Sequence, residues 1–190
     1  FFVVAFVSTK RRDSELSPIP LKISNRMSNL WDIAHEGMKN NRLIRAEKAL
    51  LTILNLDKKN AAAYNRLGIL YAKQKEYKDA IDCFEITSSI EPTASSLHNL
   101  GLIYYETENY EKATTAFEQA LRLEEDMAAR HIALAKVHEK VGDHVQVVNS
   151  LERAVELEAN VESLNLLQRA YIAADRMHDA QMIGERISRI

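Results

Sequence analysis

Apolar and small residues recur along residues 61–127 at intervals of three and four, and the whole pattern is written twice. The first copy puts Tyr64, Leu67, Gly68 and Tyr71 on one side of a helix, then Ala80 and Phe84 on one side of a second. The second copy repeats this with Leu97, Leu100, Gly101, Tyr104, Ala113 and Phe117. Gly68 and Gly101 are 33 residues apart, as are Tyr71 and Tyr104, Ala80 and Ala113, and Phe84 and Phe117. Intervals of three and four predict amphipathic helices. A fixed period of this size predicts stacked helical pairs, each packed on its neighbours, with no single central core.

The register extends in both directions. Counting Ala61 as position one, a unit from Met27 supplies Leu30, Ile33, Ala34, Gly37, Ala46, Leu50 and Ile53 at the marked places. A unit from Ala128 supplies His131, Leu134, Ala135, His138, Val147, Leu151 and Ala154, and one from Val161 supplies Leu164, Leu167, Gln168, Tyr171, Ala180, Gly184 and Ile187. The chain therefore divides into units 27–60, 61–93, 94–127, 128–160 and 161–190. Polar turns at Gln74-Lys75-Glu76, Thr107-Glu108-Asn109 and Gly142-Asp143 separate an A helix from a B helix. Asp143 is placed to cap the helix after it. Position seventeen (Leu43, Tyr77, Tyr110, His144, Met177) is the first packed residue after each turn. Pro92 can stop the helix before it, because the residue preceding a proline is biased away from helical geometry.

These residues and spacings resemble the tetratricopeptide repeat, strongly over 61–127 and more weakly over most of 27–190. The resemblance implies an all-α fold, a right-handed α-solenoid of about five helix-turn-helix units with a concave groove lined by A helices. The small residue at position eight (Ala34, Gly68, Gly101, Ala135) is expected to let the A and B backbones approach, since glycine inside a helix costs roughly 1 kcal/mol and needs a packing reason.

Composition adds little to the fold and more to its setting. Of 190 residues only 5 are Gly and 3 Pro, which disfavours turn-rich β structure. A net charge of −2 argues against bulk nucleic-acid binding. The lone cysteine, Cys83, cannot form an internal disulfide, so a reducing compartment is the default. The first twelve residues differ from the rest: Phe1–Val7 is wholly apolar and Lys10-Arg11-Arg12 follows. An apolar run closed by basic residues is how a membrane span ends on its cytoplasmic side. The expected location is thus the cytoplasmic side of a membrane, with a single-pass anchor ending near Val7; a soluble cytoplasmic protein is the alternative. Residues 13–26, with Ser17-Pro18-Ile19-Pro20, are expected to form an extended linker.

No constellation for catalysis emerges. The chain lacks a phosphate-cradling glycine loop, a glycine-flanked nucleophilic serine and a zinc-type cysteine pair. A non-catalytic protein with neither cofactor nor metal is expected. His131 and His138 share a helical face at positions where other units carry tyrosine or leucine, and they are expected to fill half-buried aromatic slots, with a backbone acceptor.

Function is expected on the other side of the A helices, at positions two, five, nine, twelve and thirteen. The first unit offers Trp31, His35, Met38 and Lys39; the second Asn65, Ile69 and Lys73, with Arg66 on the edge. The third offers His98, Leu102 and Tyr105, with Asn99 on the edge; the fourth Lys136 and Lys140; the fifth Asn165 and Arg169. Amides, apolar side chains and charges in one groove suit an extended peptide or a helix of a partner protein. Trp31 and Tyr105 are the expected anchors. The family's clamp for acidic chaperone tails would need further lysine, asparagine and arginine; Asn99 fits, but Ile69, Ala129 and Ala133 do not. The groove does not repeat the polar and aromatic triplets that RNA stacking requires. A second expectation is self-association through the last helix, where Ile183, Ile187 and Ile190, with Met182 nearby, have no following helix to cover them.

Overall fold

The computed structural model describes residues 21–190, whose secondary structure is helical throughout. The expected end of a membrane anchor (1–12) and the first part of the linker (13–20) lie outside the described residues. The ten helices are α1 (Leu21–Lys39), α2 (Leu43–Leu56), α3 (Ala61–Gln74), α4 (Tyr77–Ile90), α5 (Ala94–Glu106), α6 (Tyr110–Leu123), α7 (Ala128–Val141), α8 (His144–Leu157), α9 (Val161–Ala173) and α10 (Met177–Ile187). Odd and even helices pair as A and B, and each B helix packs against the next A helix. This is an all-α solenoid.

One boundary differs from the sequence reading. Helix α1 begins at Leu21, inside the expected linker and six residues before Met27. The segment Leu21-Lys-Ile-Ser-Asn-Arg has no helix breaker, and a proline just ahead suits a helix start. Ser24, Asn25 and Arg26 are exposed, so no packing period marked this turn and a half.

Side chains close the starts of α3, α5, α6, α8 and α9. The Ala63 N–H donates to Asn60 Oδ1 at 3.0 Å, and the Gln146 N–H to Asp143 Oδ1 at 3.1 Å. Thr93 with Ser96, and Asn160 with Ser163, form reciprocal capping boxes. The A–B turns share one device: position fifteen is left-handed in every unit, at Asn41 (φ 56°), Lys75 (62°), Glu108 (59°), Gly142 (77°) and Asp175 (58°). Helix α4 ends one residue before Glu91, which is extended as a residue preceding proline should be. Asp57, Glu124 and Glu158 are extended at the same place without a proline, so Pro92 fits the turn but is not its cause.

The core is a chain of interlocked pairs. A Cβ on Gly68 would lie 2.7 Å from the Phe84 ring, and one on Gly101 2.7 Å from the Phe117 ring. At position eight the glycine therefore makes room for the aromatic ring at position twenty-four, not for a backbone contact as the sequence suggested. Close approach to backbone occurs in the first unit instead, where a Cβ on Gly37 would meet the Ala46 nitrogen at 3.0 Å. The other units solve the same volume differently: Ala34 with Leu50, Ala135 with Leu151, and in the last unit Gln168 with Gly184. There the large residue has changed sides: a Cβ on Gly184 would strike Gln168 Nε2 at 2.7 Å, and that amide donates to the Ala180 carbonyl at 3.1 Å. Phe84 and Phe117 are almost wholly buried, each contributing on the order of 2–3 kcal/mol. They also pack on the following unit, joining neighbours into a continuous core.

A second series of contacts runs between units. The Tyr71 hydroxyl donates to Glu47 Oε1 (3.0 Å), Tyr104 to Glu85 Oε1 (2.6 Å) and Tyr171 to Glu152 Oε1 (2.7 Å). Burial and then the carboxylate partner raise all three phenol pKa values, that of Tyr171 to about 12, so the hydroxyls stay donors. The position-eleven tyrosine is thus a rivet between units.

Candidate functional site: clefts between A helices

Helices α5, α7 and α9 are spaced by the core pairs beneath them, and two connected clefts open between their outer sides. The first, of about 420 Å³, lies between α5 and α7 and gathers His98, Leu102, Tyr105, Ile132 and Lys136. The second, of about 340 Å³, lies between α7 and α9 and adds Glu139, Arg169 and Ile172. Ile132 and Lys136 line both, so the clefts form one run. Leu102 and Ile172 remain 40% and 49% exposed, which leaves apolar surface open to a partner.

Aromatic pairs build part of the cleft wall. The His98 ring packs at a tilt of 53° against Phe117 with centroids 5.3 Å apart, and Tyr105 leans on Tyr110 at 5.9 Å. Burial first, and then the Arg130 charge, push the His98 pKa below its ordinary value. Its Nδ1 is buried without a hydrogen-bond partner.

The other expected groove residues fall into two groups. Lys140 and Asn165 are exposed on the same helices, and Asn99 is half-buried on α5. In the first two units Trp31 and Met38 are half-buried against the core, and Ile69 packs inward likewise, so part of each surface is already spent. The Arg66 guanidinium lies 5.7 Å from the Trp31 ring centroid, tying units one and two together. Asn65 is half-buried with its Oδ1 unpartnered; His35, Lys39 and Lys73 are exposed. None of these residues enters the two clefts.

Three features needed the structure. Arg130 is buried, donating to the Glu124 carbonyl (3.1 Å) and Glu124 Oε2 (2.8 Å). His131 Nε2 sits 3.0 Å from the Glu125 carbonyl oxygen. Together they pin the turn before α7. His131 and His138 are both half-buried, as their aromatic-slot positions suggested. Cys83 is buried; desolvation, with Asp79 and Asp82 nearby, pushes its thiol up to about 11, which keeps it protonated and inert. The last helix corrects the sequence reading: Ile183 and Ile187 are half-buried against the core of the last two units, leaving Met177 and Met182 on the helix, and Ile190 beyond it, as exposed apolar residues.

Among the described residues no group of three or more His, Cys, Asp or Glu could hold a metal ion, and no helix is long and apolar enough to cross a membrane. The tetratricopeptide repeat profile matches residues 61–93 and again 94–127. No curated protein sequence matches the chain. Among solved structures, the MamA protein superposes with a TM-score of 0.78 at 17% identity, covering 86% of this chain and 91% of that one. MamA 41-end from Desulfovibrio magneticus RS-1 gives 0.77 at 14%, covering 87% and 94%. YrrB, described as a TPR protein with an unusual peptide-binding site, gives 0.69 at 19%, covering 81% and 80%. At these identities the likeness concerns the fold.

Proposed function

The chain belongs to the tetratricopeptide repeat family, and on that premise we propose that it is a non-catalytic scaffold holding a segment of a partner protein across α5, α7 and α9. The observation that carries this reading is the continuous run of clefts, in which apolar side chains alternate with exposed charges. Leu102, Ile132 and Ile172 offer apolar contact; Lys136 and Arg169 orient carboxylates, and Glu139 opposes a second acidic group. That the YrrB structure is described by a peptide-binding site supports the use of such a surface.

Selection of binders from a displayed peptide library, followed by NMR shift mapping, tests the reading. Shifts confined to α5, α7 and α9, and lost in Leu102→Glu with Lys136→Glu, are expected. Binders that footprint on the B helices instead would sink the proposal. A place beside a membrane rests on Phe1–Val7 and the basic cluster after it. Fractionation of cells producing the full reading frame tests that separately, with recovery in the membrane pellet expected.

A further inference from the structure

Positions sixteen, nineteen and twenty-two form a row along the outer side of each B helix. On α2 the row is Arg42, Arg45 and Lys48; on α4 it is Glu76, Asp79 and Asp82. All six are exposed, and among the described residues none lies within 4.0 Å of an opposite charge. No other unit carries three like charges there: the rows are Asn109, Lys112, Thr115, then Asp143, Gln146, Asn149, then Arg176, Asp179, Met182. Two unpaired rows of opposite sign thus sit at identical positions on consecutive, parallel B helices.

The basic row also borders a cleft of about 790 Å³ with an apolar floor of Leu30, Ile33 and Leu43. Ile44, set between the cations, is 67% exposed. Ile86, one turn past Asp82 on the same side of α4, is 38% exposed. Apolar surface flanked by charge is the make-up of an interface.

We propose that this face pairs two copies of the chain. A two-fold axis running between α2 and α4, parallel to both, sets each basic row against the acidic row of the second copy. Arg42 then meets Glu76, Arg45 meets Asp79 and Lys48 meets Asp82, twice over. A two-fold axis perpendicular to the helices would oppose like charges, so the charge pattern selects one arrangement. Ile86 of the second copy arrives opposite Thr52, at the edge of the apolar cleft. Such an interface is isologous and closes at two copies. The chain's own residues 1–20 fit the basic row poorly, because they carry Lys10, Arg11 and Arg12 against two acidic residues.

Analytical ultracentrifugation of the full chain is the test. The mass should double with concentration at ~0.05 M salt and fall back at ~0.5 M, where screening removes most of the attraction. A triple reversal of the basic row (Arg42→Glu, Arg45→Glu, Lys48→Glu) should leave a monomer, as should Glu76→Lys, Asp79→Lys, Asp82→Lys. Mixed together, the two variants should form a heterodimer, since one now carries two acidic rows and the other two basic rows. That recovery shows both are folded. A wild-type chain that stays monomeric at low salt overturns the proposal; so does a dimer surviving in both variants, or a mixture that fails to associate.

Discussion

At the scale of single residues, the volume shared by positions eight and twenty-four is the strongest constraint. Gly101→Ala places a methyl 2.7 Å from the Phe117 ring, and the ring is held by the next unit, so overpacking should cost about 1–3 kcal/mol. Adding Phe117→Leu should recover much of that loss, because Ala with Leu is the pair found in units one and four. Urea denaturation of the single and double variants measures this; a double variant worse than the sum of its parts would refute the shared-volume account. His98 sets a pH dependence. Its pKa is lowered in the folded chain, so the unfolded chain binds the proton more tightly. Stability should therefore hold above the ordinary value of 6.5 and fall as pH drops below it, until the lowered folded value is passed. Thermal melts of His98→Gln from about pH 7 to about pH 5 should show a flatter loss than the parent.

At the scale of elements, helices and turns were legible to different degrees. The helical period announced the packed faces, and Asp143 was recognisable as a cap. The left-handed residue at position fifteen was hidden, because Gly142 is the one glycine among Asn41, Lys75, Glu108 and Asp175. Asn41 and Asp175 enter that region more readily than most residues, whereas Lys75 and Glu108 have little intrinsic preference for it and are held there by the structure around the turn. Since nothing lies within 4 Å of a Cβ on Gly142, Gly142→Ala should cost only the backbone penalty, about 1 kcal/mol. Glu108→Gly should gain a smaller amount, ~0.5 kcal/mol, after the added freedom of the unfolded chain is subtracted. Differential scanning calorimetry distinguishes the two signs. The candidate site was legible only as a side of the A helices. Periodicity put Leu102, Tyr105, Lys136 and Arg169 outward, but it could not show that Trp31, Met38 and Ile69 spend surface on packing. Nor could it show that the clefts open in units three to five: cleft depth depends on spacing between helices, which no single helix encodes.

At the scale of the whole molecule, the outer faces of units one and five differ from the junctions between units. Positions three and ten of each A helix face the preceding unit and are buried in units two to five, as Ala63 with Leu70, Ser96 with Ile103, Arg130 with Val137, and Ser163 with Ala170. In unit one they are Asn29 and Glu36, both exposed. At the other end, positions twenty-one and twenty-eight carry Val148 and Val155 in unit four but Gln181 and Ser188 in unit five. Stacked repeats need such polar outer faces, because each repeat otherwise offers its neighbour's contact surface to a second molecule. Replacing all four polar residues by leucine should recreate an internal junction at both ends. Head-to-tail contacts of that kind do not close, so the variant should grow into chains whose mass rises continuously with concentration. Light scattering separates this outcome from the lateral pairing of α2 and α4, which stops at two copies and weakens with salt. Chain growth that persists at ~1 M salt, where charge contacts are screened within about 3 Å, would assign it to the new apolar ends. A variant that keeps the parent's mass would show that the polar end positions do not limit the array.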